Sequence, residues 1–158
     1  MFKSSIKSMH FAITTLCLFI TVAFTGCSKS DDTQAIQGKS KEYKMYNTSS
    51  GNTLEAGSFT IAELQDGNAR VSVRLNANYR VAGVLYKSNI TTTDASNSVE
   101  LVFAVLADVD GGTGIGETNV LVSSGNNMAV KYADAVNKVG YVVKVFSGAN
   151  VQARGTIQ

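Results

Sequence analysis

Proline and tryptophan are absent from this 158-residue chain, and histidine occurs once, as His10. Both cysteines, Cys17 and Cys27, fall near the start. Each shortage narrows the field. Without proline, turns have to be built from Gly, Asn, Asp and Ser. With no histidine beyond residue 10, the chain after Cys27 can build no Ser-His-Asp or Cys-His centre and no histidine-rich zinc or copper site. No disulfide can staple that stretch, so its stability must come from an ordinary hydrophobic core. After Cys27, eight Lys and four Arg balance twelve Asp and Glu. That balance leaves no concentrated positive surface for phosphate neutralisation, which argues against nucleic acid as a partner.

What is present begins with a targeting pattern. Met1 to His10 is polar and carries Lys3 and Lys7; Phe11 to Phe24 is a mostly apolar run. As a helix that run covers about 21 Å, short of the roughly 30 Å hydrocarbon core of a bilayer. The charged start, apolar middle and small residues before a break read as a secretory leader. Phe24-Thr25-Gly26-Cys27 resembles the bacterial lipobox, with Phe24 in place of the usual Leu. The resemblance implies cleavage before Cys27, a thioether-linked lipid on its thiol, and a further acyl chain such as palmitate on the freed amine. Each buried methylene contributes about 0.8 kcal/mol, so several chains anchor where one is marginal. Ser28 to Lys41 is polar and suits a tether. Within it, Ser30-Asp31-Asp32 resembles the export signals of Bacteroidota surface lipoproteins, implying an outer-membrane lipid anchor with display at the cell surface. The expected organisation is a signal peptide over 1–26, lipidated cysteine and tether over 27–40, and one domain over 41–158.

Period-two alternation dominates that domain. In Ala69-Arg70-Val71-Ser72-Val73-Arg74-Leu75 the apolar residues share one face. The preceding stretch around Phe59 and Ile61 forms its hairpin partner, joined through the Asp66-Gly67 turn signal. Further strands are expected at 41–47, 80–87, 98–107, 118–123, 128–133, 140–147 and 151–157, with one helical turn within 133–139. Val99 to Leu106 is apolar on nearly both faces and reads as a central strand. The fold class is all-β: an antiparallel two-sheet sandwich, favoured, or a partly closed barrel, of about seven to nine strands.

Two candidate binding features stand out. Asp108-Val109-Asp110-Gly111-Gly112-Thr113-Gly114-Ile115-Gly116-Glu117 offers carboxylates on a glycine-rich stretch, where Asp108, Asp110 and Glu117 suit calcium as hard oxygen ligands. The spacing is not that of an EF-hand, and a plain glycine-rich turn after a buried strand accounts for the same residues. Tyr79 and Tyr86 are candidate stacking residues for a glycan or peptide, set against the simpler reading of half-buried strand packing. No catalytic residues are singled out. Acids are scattered, so a carboxylate pair for glycan hydrolysis has little support.

The C-terminal order carries a family resemblance. Gly140-Tyr141-Val142-Val143-Lys144-Val145-Phe146-Ser147, followed by Ala153-Arg154-Gly155-Thr156-Ile157, resembles the ending of CHRD domains, and Gly57 to Leu75 resembles their early hairpin. The resemblance implies a β-rich secreted module over roughly residues 41–158. The family's histidines have no counterpart here: Val84-Leu85-Tyr86-Lys87 and Phe146 occupy the corresponding stretches, so no metal role transfers. The expected function is that of a non-enzymatic, lipid-anchored cell-envelope binding or structural protein. It would meet the membrane through Cys27 and an envelope protein or glycan through the β domain. A calcium-stabilised adhesion module and a carboxylate-based glycan hydrolase are the alternatives.

Overall fold

The alternation in residues 69–75 is realised as a strand with every second residue buried, Ala69, Val71, Val73 and Leu75 facing the core. A computed structural model describes residues 36–94, 96 and 98–158. Cys27 and the segments expected as leader and, up to residue 35, as tether lie outside the described residues. Among those described, eight strands are formed: β1 (Ile36–Asn47), β2 (Glu55–Leu64), β3 (Ala69–Leu75), β4 (Leu85–Thr93), β5 (Glu100–Asp110), β6 (Ile115–Thr118), β7 (Val142–Ser147) and β8 (Asn150–Thr156). One short helix, α1 (Tyr132–Val136), precedes β7. Every pairing is antiparallel, in the order β5-β4-β7-β8-β1-β2-β3-β6.

Of the two expected architectures, the partly closed barrel is the one adopted. A single sheet curls until its outermost strands, β5 and β6, meet. Its interior is filled by side chains, with Met45, Phe59, Ile61, Val73, Val143 and Val145 fully buried. Tyr43 stacks on Phe59 at 4.8 Å between ring centroids. Full burial of a side chain such as Phe59 contributes about 1.5–3 kcal/mol. A small barrel closed this way is a packed core and not a ligand-holding cup.

The seam between β5 and β6 is approached but not laddered. The two strands are joined by the 111–114 turn, closed by the Gly114 amide on the Asp110 carbonyl at 2.6 Å. Further along, the Ala107 N–H donates to Thr118 Oγ1 at 2.8 Å, and the Ser124 N–H to the Phe103 carbonyl at 2.7 Å. Gly116 permits the close approach, because a Cβ there would stand 2.9 Å from the Asp108 carbonyl oxygen. A second weak line runs between β1 and β8, which pair only at Tyr46↔Arg154 and Asn47↔Ala153.

Several boundaries differ from the sequence reading. β1 starts at Ile36, before the expected domain start at 41, and its register shifts between Ile36 and Ser40, where Gly38 takes a positive φ of 99°. The strand expected at 80–87 sits at 85–93, because Val81 to Val84 is a turn with Gly83 at φ 82°. The strands expected at 118–123 and 128–133 reduce to β6 and two isolated bridges, Val122↔Ala129 and Asn68↔Lys131. The helical turn expected within 133–139 forms at 132–136. The 66–67 turn is as expected, with the Leu64 amide on the Asn68 carbonyl at 2.9 Å.

Candidate functional site: a groove on the upper rim

Antiparallel order sorts the connections between two rims. The upper rim is the end at which β1 begins; it carries the β2–β3 turn, the β4–β5 hairpin at 94–99 and the long 119–141 connection. The lower rim carries the 48–54, 76–84, 111–114 and 148–149 connections.

The 119–141 connection closes the upper end of the core through buried Leu121, Val130 and Ala135. Three backbone bonds hold it to β3 and to itself: Leu121 to the Ala69 carbonyl at 2.7 Å, Ala69 to Val130 at 2.8 Å, and Val130 to Leu121 at 2.8 Å. Between them, Ser123 to Asn127 make a turn in which Asn126 Oδ1 accepts from the Met128 N–H at 3.1 Å and Asn127 adopts φ 58°. Asparagine tolerates that left-handed conformation better than most residues. The turn is drawn against β5 by the Ser124–Phe103 bond.

The result is an open groove of about 390 Å³ lined by Phe103, Ser123, Asn126, Met128, Asn137 and Lys138 among others. Phe103 meets Tyr141 edge to face at 5.2 Å and 79°. The Lys138 ammonium lies 5.3 Å from the Phe103 ring centre and 5.5 Å from that of Tyr141. Electrostatic attraction to the ring faces holds such a cation while its aliphatic stem covers apolar surface. The groove therefore combines the Phe103 ring, a thioether, side-chain amides, the Lys138 ammonium and the Asp134 carboxylate. Apolar and polar groups of both charges thus share one concave surface.

A second depression of about 410 Å³ lies along the β1–β8 line, where Lys41, Tyr43, Lys44, Tyr46, Thr156 and Gln158 are among the lining residues. Lys44 pairs with Glu55 at 2.8 Å, and that partner raises the Lys44 ammonium above its ordinary value.

The residues singled out from sequence are placed apart from the upper groove. Tyr86 is only 3% exposed and its hydroxyl accepts from the Val81 N–H at 2.8 Å, so neither ring face is open for stacking. Tyr79 is half-buried against the core, and its carbonyl accepts from the Gln152 side-chain amide. The carboxylates of the glycine-rich stretch each have a separate partner. Asp108 accepts from the Lys87 ammonium at 2.7 Å, and Glu117 pairs with Arg70. Asp110 Oδ1 accepts from the Thr113 N–H at 2.7 Å, and that bond, followed by one to the Thr113 hydroxyl, holds its carboxyl below the usual range. Among the described residues, no three His, Cys, Asp or Glu side chains gather as a metal site. Cys27 lies outside the described residues.

Sequence reasoning missed Phe103, Met128, Lys138 and Tyr141 as a group. The one signal was Met128, an apolar residue directly following the polar run Ser123-Ser124-Gly125-Asn126-Asn127. Strands β7 and β8 lie side by side in the wall. No family model, curated protein or solved structure matches the chain.

Proposed function

We propose that the chain is a lipid-anchored cell-envelope protein, attached through Cys27, whose β barrel binds or scaffolds through the upper-rim groove around Phe103. The observation that carries this reading is the position of the groove. The barrel interior is packed with side chains, whereas the Phe103 groove is open and sits on the upper rim. Concave, partly apolar surfaces with a few polar groups are the usual binding places on a protein. The leader and the Phe24-to-Cys27 stretch support the address. The outer-membrane and surface display suggested by Ser30-Asp31-Asp32 belong to the same reading.

The test uses the full chain in a bacterial host with lipoprotein export. Mass spectrometry of the mature N-terminus is expected to find Cys27 carrying acyl chains, and Cys27→Ser to abolish palmitate labelling and membrane attachment. A photo-crosslinking residue at Met128 is expected to capture an envelope component in intact cells, and one at Leu54 on the lower rim to capture far less. Unmodified Cys27 would overturn the anchor. Equal capture at both rims would overturn the groove as the binding face.

A further inference from the structure

We infer that the groove's natural contact is the lipid surface itself: the upper rim lies against the leaflet that holds the Cys27 acyl chains. The inference rests on the anchoring proposed above and names the partner of the same site. Two connections and the start of β5 bring apolar side chains to this rim around Phe103. Val99 and Leu101 come from the start of β5, Val122 and Met128 from the turn bonded to it, and Val139 follows Lys138, whose ammonium faces the ring. Met128 is 64% exposed and Val139 69%. The lower rim also exposes Leu54, Val81 and Leu85, so apolar exposure alone does not choose an end.

The covalent path chooses. Nine peptide steps separate Cys27 from Ile36, the first residue of β1. Fully extended, they span about 30 Å. Contact at the upper rim, where β1 begins, needs no stretching. Contact at the lower rim would need the tether to run down the wall. The ten residues of β2 are roughly 33 Å long along the strand, and a strand tilt of about 35–45° in a barrel makes the wall roughly 25 Å high. That path takes up most of the tether's extended length of about 30 Å and with it most of its conformational freedom. A short tether also holds the upper rim at about millimolar effective concentration near the bilayer, so modest apolar contacts suffice.

The groove's chemistry matches a lipid interface. Tyrosine and phenylalanine provide apolar bodies at headgroup depth, and Tyr141 adds a polar tip. Lysine stems lie along apolar surface while their ammonium groups reach outward, which suits Lys138 to a lipid phosphate. Asn126, Asn137 and Ser123 supply polar groups at the same level, and the Asp134 carboxylate in the same lining suits a zwitterionic headgroup that brings its own ammonium.

The experiment uses the full, lipidated chain reconstituted into phosphatidylethanolamine–phosphatidylglycerol vesicles containing brominated lipid. A fluorophore is placed through Met128→Cys or, as the control, Leu54→Cys. The mass of the purified protein is read first: absence of acyl chains on Cys27 overturns the anchoring reading and this inference with it. With Cys27 acylated, several-fold greater quenching at position 128 than at 54 is expected. Inserting about 20 Gly and Ser residues into the tether is expected to cut the docked population about 6-fold, from the −3/2 power dependence on tether length. Equal quenching at the two positions leaves the anchor standing and overturns lipid contact. Equal quenching in vesicles, together with a protein crosslink at Met128 in cells, overturns it in favour of a protein partner.

Discussion

Thr118→Val isolates the chemistry that closes the barrel. The Ala107 N–H reaches across the seam to Thr118 Oγ1 at 2.8 Å, and no ladder backs that bond. Valine keeps the shape of threonine and removes the acceptor. An unsatisfied buried donor costs about 1–3 kcal/mol; because Ala107 is only half-buried, water recovers part of this, leaving about 1–2 kcal/mol. Thr118→Ser retains the oxygen and loses at most one methyl, about 0.8 kcal/mol if fully buried. The four pairs between β6 and β3 persist in both variants, so the fold is retained. Urea denaturation at a shared slope measures the difference, and amide exchange at Ala107 locates it. The valine variant is expected to unfold at lower urea and to lose protection at Ala107, with the serine variant close to the parent. Valine and serine variants of equal stability, or an Ala107 amide as protected in valine as in the parent, would refute the seam bond.

Three further outcomes are expected. Gly111→Ala places a Cβ in overlap with the Val81 carbonyl oxygen and 2.7 Å from that of Val84, both backbone atoms. It should therefore cost about 2 kcal/mol or more in thermal melts, whereas Gly112→Ala, which meets only the Asp110 carboxylate at 3.1 Å, should cost much less; equal losses would contradict this. The Lys144 ammonium, by its hydrogen bond, holds the Glu100 carboxyl below the usual range. Because the folded value is depressed, the stabilisation is present above the ordinary glutamate value of about 4.3 and disappears as pH falls through the folded value. Lys144→Met should return the Glu100 titration, followed by carboxyl NMR, toward the ordinary value, and an unmoved titration would place the cause elsewhere. Millimolar calcium is expected to leave the melting midpoint unchanged, since Asp108, Asp110 and Glu117 already have separate partners. A rise that Asp108→Ala and Asp110→Ala both abolish would instead put the ion at the 111–114 turn.

Strand β3 and its hairpin were legible because one face is core and the other solvent, so the pattern in the letters is the pattern in space. Strand β4 was not. Its stretch Leu85-Tyr86-Lys87-Ser88-Asn89-Ile90-Thr91-Thr92-Thr93 buries Ser88 and Thr91, whose hydroxyls bond to the carbonyls of Ala107 and Val142. Polar letters there occupy core positions, while the apolar Val81 and Val84 before it and Leu85 at its start are exposed. Composition pointed to the wrong end of the segment. The choice of barrel over sandwich was also hidden, because both use the same alternation and differ only in whether the outermost strands meet. They meet at Gly116, a close approach that cannot be recognised until the neighbouring Asp108 carbonyl is known. The groove was less legible still, since Phe103 reads as one more apolar residue in a buried strand and acquires its setting from Lys138 and Tyr141 across the fold.

The distribution of charge narrows where such a barrel can act. Lys44 with Glu55, Arg70 with Glu117, Lys87 with Asp108 and Lys144 with Glu100 form ion pairs on strand residues of the wall. Exposed pairs of this kind contribute about 0–1 kcal/mol each, so their main effect is a mixed, neutral wall with little to attract a charged partner. The interior is packed, and the wall is self-neutralised. That leaves the rims, and the upper one has the longer connection. Within 119–141 the fully core-facing side chains are Leu121, Val130 and Ala135, while Ser123 to Met128 and Asn137 to Val139 project outward or line the groove. The same segment thus divides into positions that close the barrel and positions that contact what lies beyond it. Substitutions at the second set should alter docking without moving the unfolding midpoint, and that separation distinguishes a contact surface from a structural cap.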